Sequence, residues 1–86
     1  MTTIRPEVQW FAEQMENKLK HHDAKGNWNE CDIDWLFTRV QDEIIELLEA
    51  IVLHKQGEGT NDEIIKEAAD VANFVMMIAD IVHDKD

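Results

Sequence analysis

The sequence predicts an all-α fold, and three observations carry that expectation. Apolar residues recur at three- and four-residue spacing through most of the chain. No stretch alternates apolar and polar residues in the manner of a strand, and no proline follows Pro6. With 86 residues the chain has room for one small domain, 1–86, and for little interior of its own. Short helical chains often gain core by oligomerising.

The elements follow in order. Pro6 suits a first helical position. Val8, Phe11, Met15 and Leu19 then mark a helix over about 6–21. The segment HHDAKGNWNECD, 21–32, is polar, contains Gly26 and reads as a connecting loop. A second helix is expected over about 34–55, ended by Gly57 and Gly59. Its apolar face holds Leu36, Phe37, Val40, Ile44, Leu47, Leu48 and Ile51. Thr60 with Glu63 fits a capping box that opens a third helix, over about 61–83. Residues 74–82 are apolar nearly all round, so this helix needs cover on several sides. Two other helices are few for that task. A helical bundle completed by homo-oligomerisation is the expected architecture.

Composition bounds the function. Apolar residues make up 44% of the chain and charged ones 31%, a globular balance. The formal charge is −11, from 19 acidic and 8 basic side chains. That sign opposes phosphate neutralisation, so no nucleic-acid partner is expected. A polyanionic small molecule remains accessible if divalent cations bridge the two. Cys31 is the only cysteine, so no disulfide can form within the chain. The start, MTTIRPEVQW, has no apolar signal-peptide core. The longest apolar run is interrupted by Asp70 and Asn73 and is too short to span a bilayer. A cytoplasmic protein without membrane attachment is the expectation.

The chemistry concentrates in acidic pairs. Glu43 and Glu46 lie three apart on the second helix, and Glu67 and Asp70 repeat the spacing on the third. At ~100° per residue, Glu67, Asp70 and Asn73 fall within an arc of ~120°. A short loop favours antiparallel packing of the two helices, which can bring all four carboxylates together. Gathered without matching lysines, they would repel one another. A hard divalent cation removes that penalty, and oxygen ligands suit Mg²⁺ or Mn²⁺. Any single E-x-x-E is an ordinary solubilising pattern. Asp70 is harder to dismiss, because the stretch KEAADVANFVMMIAD around it is so apolar.

The pattern E-x-x-E, about twenty residues, then E-x-x-D resembles the signature of the all-α NTP pyrophosphohydrolases. That superfamily includes MazG-like proteins, dimeric dUTPases and phosphoribosyl-ATP pyrophosphatases. EAADVANFVMMIAD and HDAKGNW are similar to small MazG-like proteins of phage and mobile-element type. The likeness runs from about Val8 to Asp80. Asp42 stands where many members carry a further glutamate, and is given no metal role.

The resemblance implies cleavage of a nucleoside triphosphate between its α and β phosphates, giving a monophosphate and pyrophosphate. It implies Mg²⁺, with Mn²⁺ as a substitute, held by Glu43, Glu46, Glu67 and Asp70, and a homodimer or tetramer. A metal of this kind orients the phosphates and activates a water, and Glu43 is the candidate base. Lys18, Lys25, Lys66 and Arg39 are candidate phosphate contacts, each with an ordinary solvated or ion-paired role as the plain alternative. Asn73 is a candidate for the sugar or a metal-bound water, or equally a satisfied interior amide. Trp28 either stacks on a base or anchors its loop. Trp10 and Trp35 lie outside the apolar stripes and suit a subunit contact or a base pocket. The histidines lack ligand spacing, and the Glu-x-x-His pairs of a di-iron bundle are absent. The rival from another class is a non-catalytic helical module whose acidic face binds a protein.

Overall fold

The computed structural model describes residues 3–21 and 27–85, which form three helices: α1 (Pro6–Lys20), α2 (Ile33–Lys55) and α3 (Asn61–Lys85). No strand occurs among the described residues, and the fold is all-α. The limits differ from those expected by one or two residues. At the start of α2 the reason is Asp32, whose side chain accepts a hydrogen bond from the Asp34 amide at 3.2 Å and caps the helix early.

The junction between α2 and α3 is set by local chemistry. Gly57 adopts φ +78°, and Glu58 N–H reaches back to the Leu53 carbonyl while Gly57 N–H reaches that of His54. This pairing satisfies carbonyls that the helix end would otherwise orphan. Gly59 is held by space instead, since a Cβ there would lie 3.1 Å from the His54 backbone nitrogen. Thr60 Oγ1 then accepts from the Glu63 amide at 3.1 Å, starting α3 at once. The result is a tight helical hairpin.

α3 is the central element, packed against both α2 and α1. Leu36, Val40 and Ala50 of α2 and Ala69 and Ile81 of α3 are the buried apolar residues, while α1 has none. Phe37, Ile44 and Leu48, expected on the packed face, are instead 55%, 50% and 58% exposed. The apolar arc of α2 is wider than one neighbouring helix can cover. The row through Leu36, Val40 and Ala50 takes the contact, and the row through Phe37, Ile44 and Leu48 is turned away from it. Val75 and Val82 on α3 are also exposed. Among the described residues no helix is long and apolar enough to cross a membrane.

Candidate metal centre and adjoining cavity

Glu43 shares the row of Leu36, Val40 and Ala50, so helix periodicity alone directs its carboxylate into the packed side of α2. It is buried, 7% exposed. Glu46 follows on the next turn of α2, and Glu67 reaches the same point from α3. One carboxylate oxygen from each of these three lies within 4.8 Å of the others.

That crowding has electrostatic consequences. Burial first, then the close approach of the Glu46 carboxyl and the charges of Glu46 and Asp70, push the Glu43 carboxyl up to about 7, against an opposing pull from Arg39. Glu67 is also raised, first by burial and then by the charges of Asp70 and Glu46, with Lys18 opposing. Glu43 Oε2 and Glu67 Oε2 are shut off from solvent and have no hydrogen-bond partner among the described residues. Buried carboxylate oxygens without donors are costly; a proton relieves that cost, in keeping with the raised Glu43 and Glu67 carboxyls, and a hard cation would relieve it too. The cluster could hold a metal ion, and its all-oxygen donor set is of the hard type.

The other oxygen of Glu43 is held by Arg39, whose Nη2 lies 3.0 Å away, while Nη1 contacts Asp42 at 3.2 Å. The guanidinium also stands 5.3 Å from the centroid of the Phe74 ring. Arg39 is thus clamped by two carboxylates and an aromatic face. Asp70 differs from the expectation that all four carboxylates gather. It stands outside the three-oxygen cluster and pairs with Lys18 of α1 at 3.3 Å. α1 lies against α3 and brings a cation to this flank, which the spacing of the α2–α3 hairpin does not reveal.

A cavity of about 450 Å³ adjoins the cluster. Its polar lining comes from Lys18, Arg39, Glu43, Asp70 and Asn73. Leu19, Trp35, Phe74 and Met77 supply an apolar, partly aromatic remainder. Asn73 is 4% exposed, and its Nδ2 donates to the Met15 carbonyl at 3.1 Å. Its Oδ1 has no partner among the described residues.

The remaining candidates fall elsewhere. Trp28 Nε1 donates to Asp80 Oδ2 at 2.9 Å, fastening the segment before α2 to α3, and Trp28 is not part of the cavity wall. Lys66 pairs with Asp62 at 3.0 Å and lines a separate cleft of about 200 Å³. Lys25 lies outside the described residues. Trp10 is exposed beside Phe11, with ring centroids 6.2 Å apart. Phe74 had not been singled out. The available signal was its position one turn after Asp70, which puts both on one flank of α3.

No family model matches the chain, and neither does any curated protein or solved structure.

Proposed function

We propose that the protein is a divalent-metal-dependent nucleoside triphosphate pyrophosphohydrolase that works as a homo-oligomer. The observation that carries this reading is the meeting of Glu43, Glu46 and Glu67 beside a cavity of about 450 Å³, with two solvent-shielded oxygens that have no hydrogen-bond partner among the described residues. The reaction adds water across the α–β anhydride and yields a nucleoside monophosphate and pyrophosphate. When bound, Mg²⁺ supplies neutralisation of phosphate charge and acidification of water.

The chain's own groups divide the remaining work. Glu43, Glu46 and Glu67 are the ligands the cluster favours, with Asp70 at its edge. Burial and the charges of Glu46 and Asp70 raise the Glu43 carboxyl in the metal-free chain, and Glu43 is the candidate base where a cation leaves one of its oxygens unengaged. Lys18 and Arg39 put positive charge on the wall of the cavity, which favours an approaching phosphate. Trp35 and Phe74 offer flat apolar surface to a base. The exposed Phe37, Ile44 and Leu48 support assembly with a second copy, whose burial of them is favourable.

The test is product analysis by anion-exchange chromatography over a panel of NTPs and dNTPs, with Mg²⁺ and with EDTA. Monophosphate and pyrophosphate should form only with metal and should vanish in Glu67→Gln. No turnover on any substrate, with no metal-induced stabilisation, would leave the non-catalytic interaction module as the reading.

A further inference from the structure

Arg39 is held on three sides, and one of the groups that holds it is Glu43. Its Nη2 donates to Glu43 Oε1 at 3.0 Å and its Nη1 to Asp42 Oδ2 at 3.2 Å. The guanidinium lies 5.3 Å from the centroid of the Phe74 ring, which comes from the neighbouring helix α3. An ordinary ion pair on a helix surface involves no second helix and orders little. Here Glu43 is buried, while Arg39 keeps part of its side chain exposed at the cavity wall. A carboxylate turns readily about its last bond, because that torsion has a broad, roughly two-fold profile. The planar fork of a guanidinium sends its donors in fixed directions, and a ring beneath it steadies the fork. One oxygen of Glu43 comes within 4.8 Å of oxygens from Glu46 and Glu67. Turning the carboxylate would take that oxygen out of place.

We propose that Arg39 is a positioning residue: steadied by Phe74, its fork sets the orientation in which the Glu43 carboxylate meets a divalent cation. The proposal rests on the metal reading of the Glu43, Glu46 and Glu67 cluster. The charge of Arg39 by itself repels a cation. Its contribution to a metal site therefore lies in the direction of its donors rather than in their sign. Lysine would carry the same charge on a flexible stem, as a point donor. It cannot reproduce the planar fork between Asp42 and Glu43 or lie flat on Phe74. Exchanging Arg39 for lysine thus separates geometry from charge.

The experiment titrates metal-free protein with Mn²⁺ alone and follows the free ion by electron paramagnetic resonance. Arg39→Lys should bind Mn²⁺ about tenfold more weakly than the wild type, the scale for losing a group that orients a metal ligand. Phe74→Leu keeps the arginine and every carboxylate but removes the ring, and should weaken binding by less. Urea unfolding in EDTA separates the roles, since a merely structural ion pair would lower stability there and leave Mn²⁺ affinity untouched. Arg39→Lys with wild-type affinity, or a wild type that binds no Mn²⁺, overturns the proposal. If Arg39→Lys does not fold, Phe74→Leu decides, and undiminished affinity in that variant overturns it. A weakened Arg39→Lys site in a protein without triphosphate turnover would sink the hydrolase reading and keep this one. Metal-dependent turnover with equal Mn²⁺ affinity in the wild type and Arg39→Lys would do the reverse.

Discussion

Lys18 of α1 lies 3.3 Å from Asp70 of α3, so the shortest helix supplies the counter-charge to an acid beside the carboxylate cluster. Both side chains are about a quarter exposed, at 26% and 23%. The pair is therefore partly screened, and its net contribution should be modest, on the order of 0.5–1 kcal/mol. A double-mutant cycle with Lys18→Met and Asp70→Asn, read by urea unfolding without metal, should return a coupling of that size. A coupling of zero would mean that the contact orders nothing, and that α1 is held by its apolar face alone.

The raised Glu43 carboxyl makes a pH prediction with a definite sign. Its folded value of about 7 lies above the ordinary 4.5, so between these values the native state binds the proton more tightly than the unfolded chain does. The contribution is fully present below about pH 4.5 and is lost as pH rises through about 7. It amounts to something on the order of 3–4 kcal/mol, at about 1.4 kcal/mol per pKa unit. Metal-free protein should accordingly unfold at lower urea concentration at about pH 8 than at about pH 6. The general repulsion of an acidic chain has the same sign, so the informative quantity is the difference from Glu43→Gln. That variant should show a flatter profile. Equal slopes would place the crowding elsewhere.

Metal should reverse the effect of crowding. Mg²⁺ bound to the native state alone stabilises by mass action, about 2.7 kcal/mol at a hundredfold excess over Kd. Thermal melts should therefore rise by several degrees with millimolar Mg²⁺. Glu67→Gln is expected to act in opposite directions in the two states. Without metal it removes one of three crowded carboxylates and should raise Tm, whereas with Mg²⁺ it should remove most of the gain. Asp42→Asn, at an exposed position given no metal role, should leave the metal response unchanged. A Mg²⁺ response that persists undiminished in Glu67→Gln would exclude that residue as a ligand.

The legible part of this architecture was local. Gly57, Thr60 and Glu63 announced the hairpin because caps and turns are written in neighbouring residues. The spacing of Glu43 with Glu46 on α2, and of Glu67 with Asp70 on α3, puts each pair on one face because helix geometry is fixed. Two relationships were not legible. Asn73 is held by the backbone carbonyl of Met15, and a backbone acceptor leaves no mark in the sequence. The Lys18–Asp70 pair depends on how α1 docks, which no periodicity specifies. Phe37, Ile44 and Leu48 were misplaced for a related reason. Hydropathy gives the width of an apolar arc but not which part of it the neighbouring helix occupies.

That uncovered row yields the last prediction. Phe37 and Ile44 lie one heptad apart, and Leu48 follows one turn later, giving a seam of the kind that pairs helices. No charged residue interrupts it, since Gln41 fills the intervening turn. In a two-fold dimer each residue of such a seam is buried twice. Leu48→Glu should then cost on the order of 3–6 kcal/mol of association, from about 1.5–3 kcal/mol per buried leucine. Light scattering coupled to size exclusion should find the wild type as a dimer or larger at micromolar concentration and Leu48→Glu as a monomer. Helicity by circular dichroism separates dissociation from unfolding. A wild-type monomer would discard the seam as a self-contact, and a Leu48→Glu variant that stays dimeric would move the contact to Val75 and Val82 of α3.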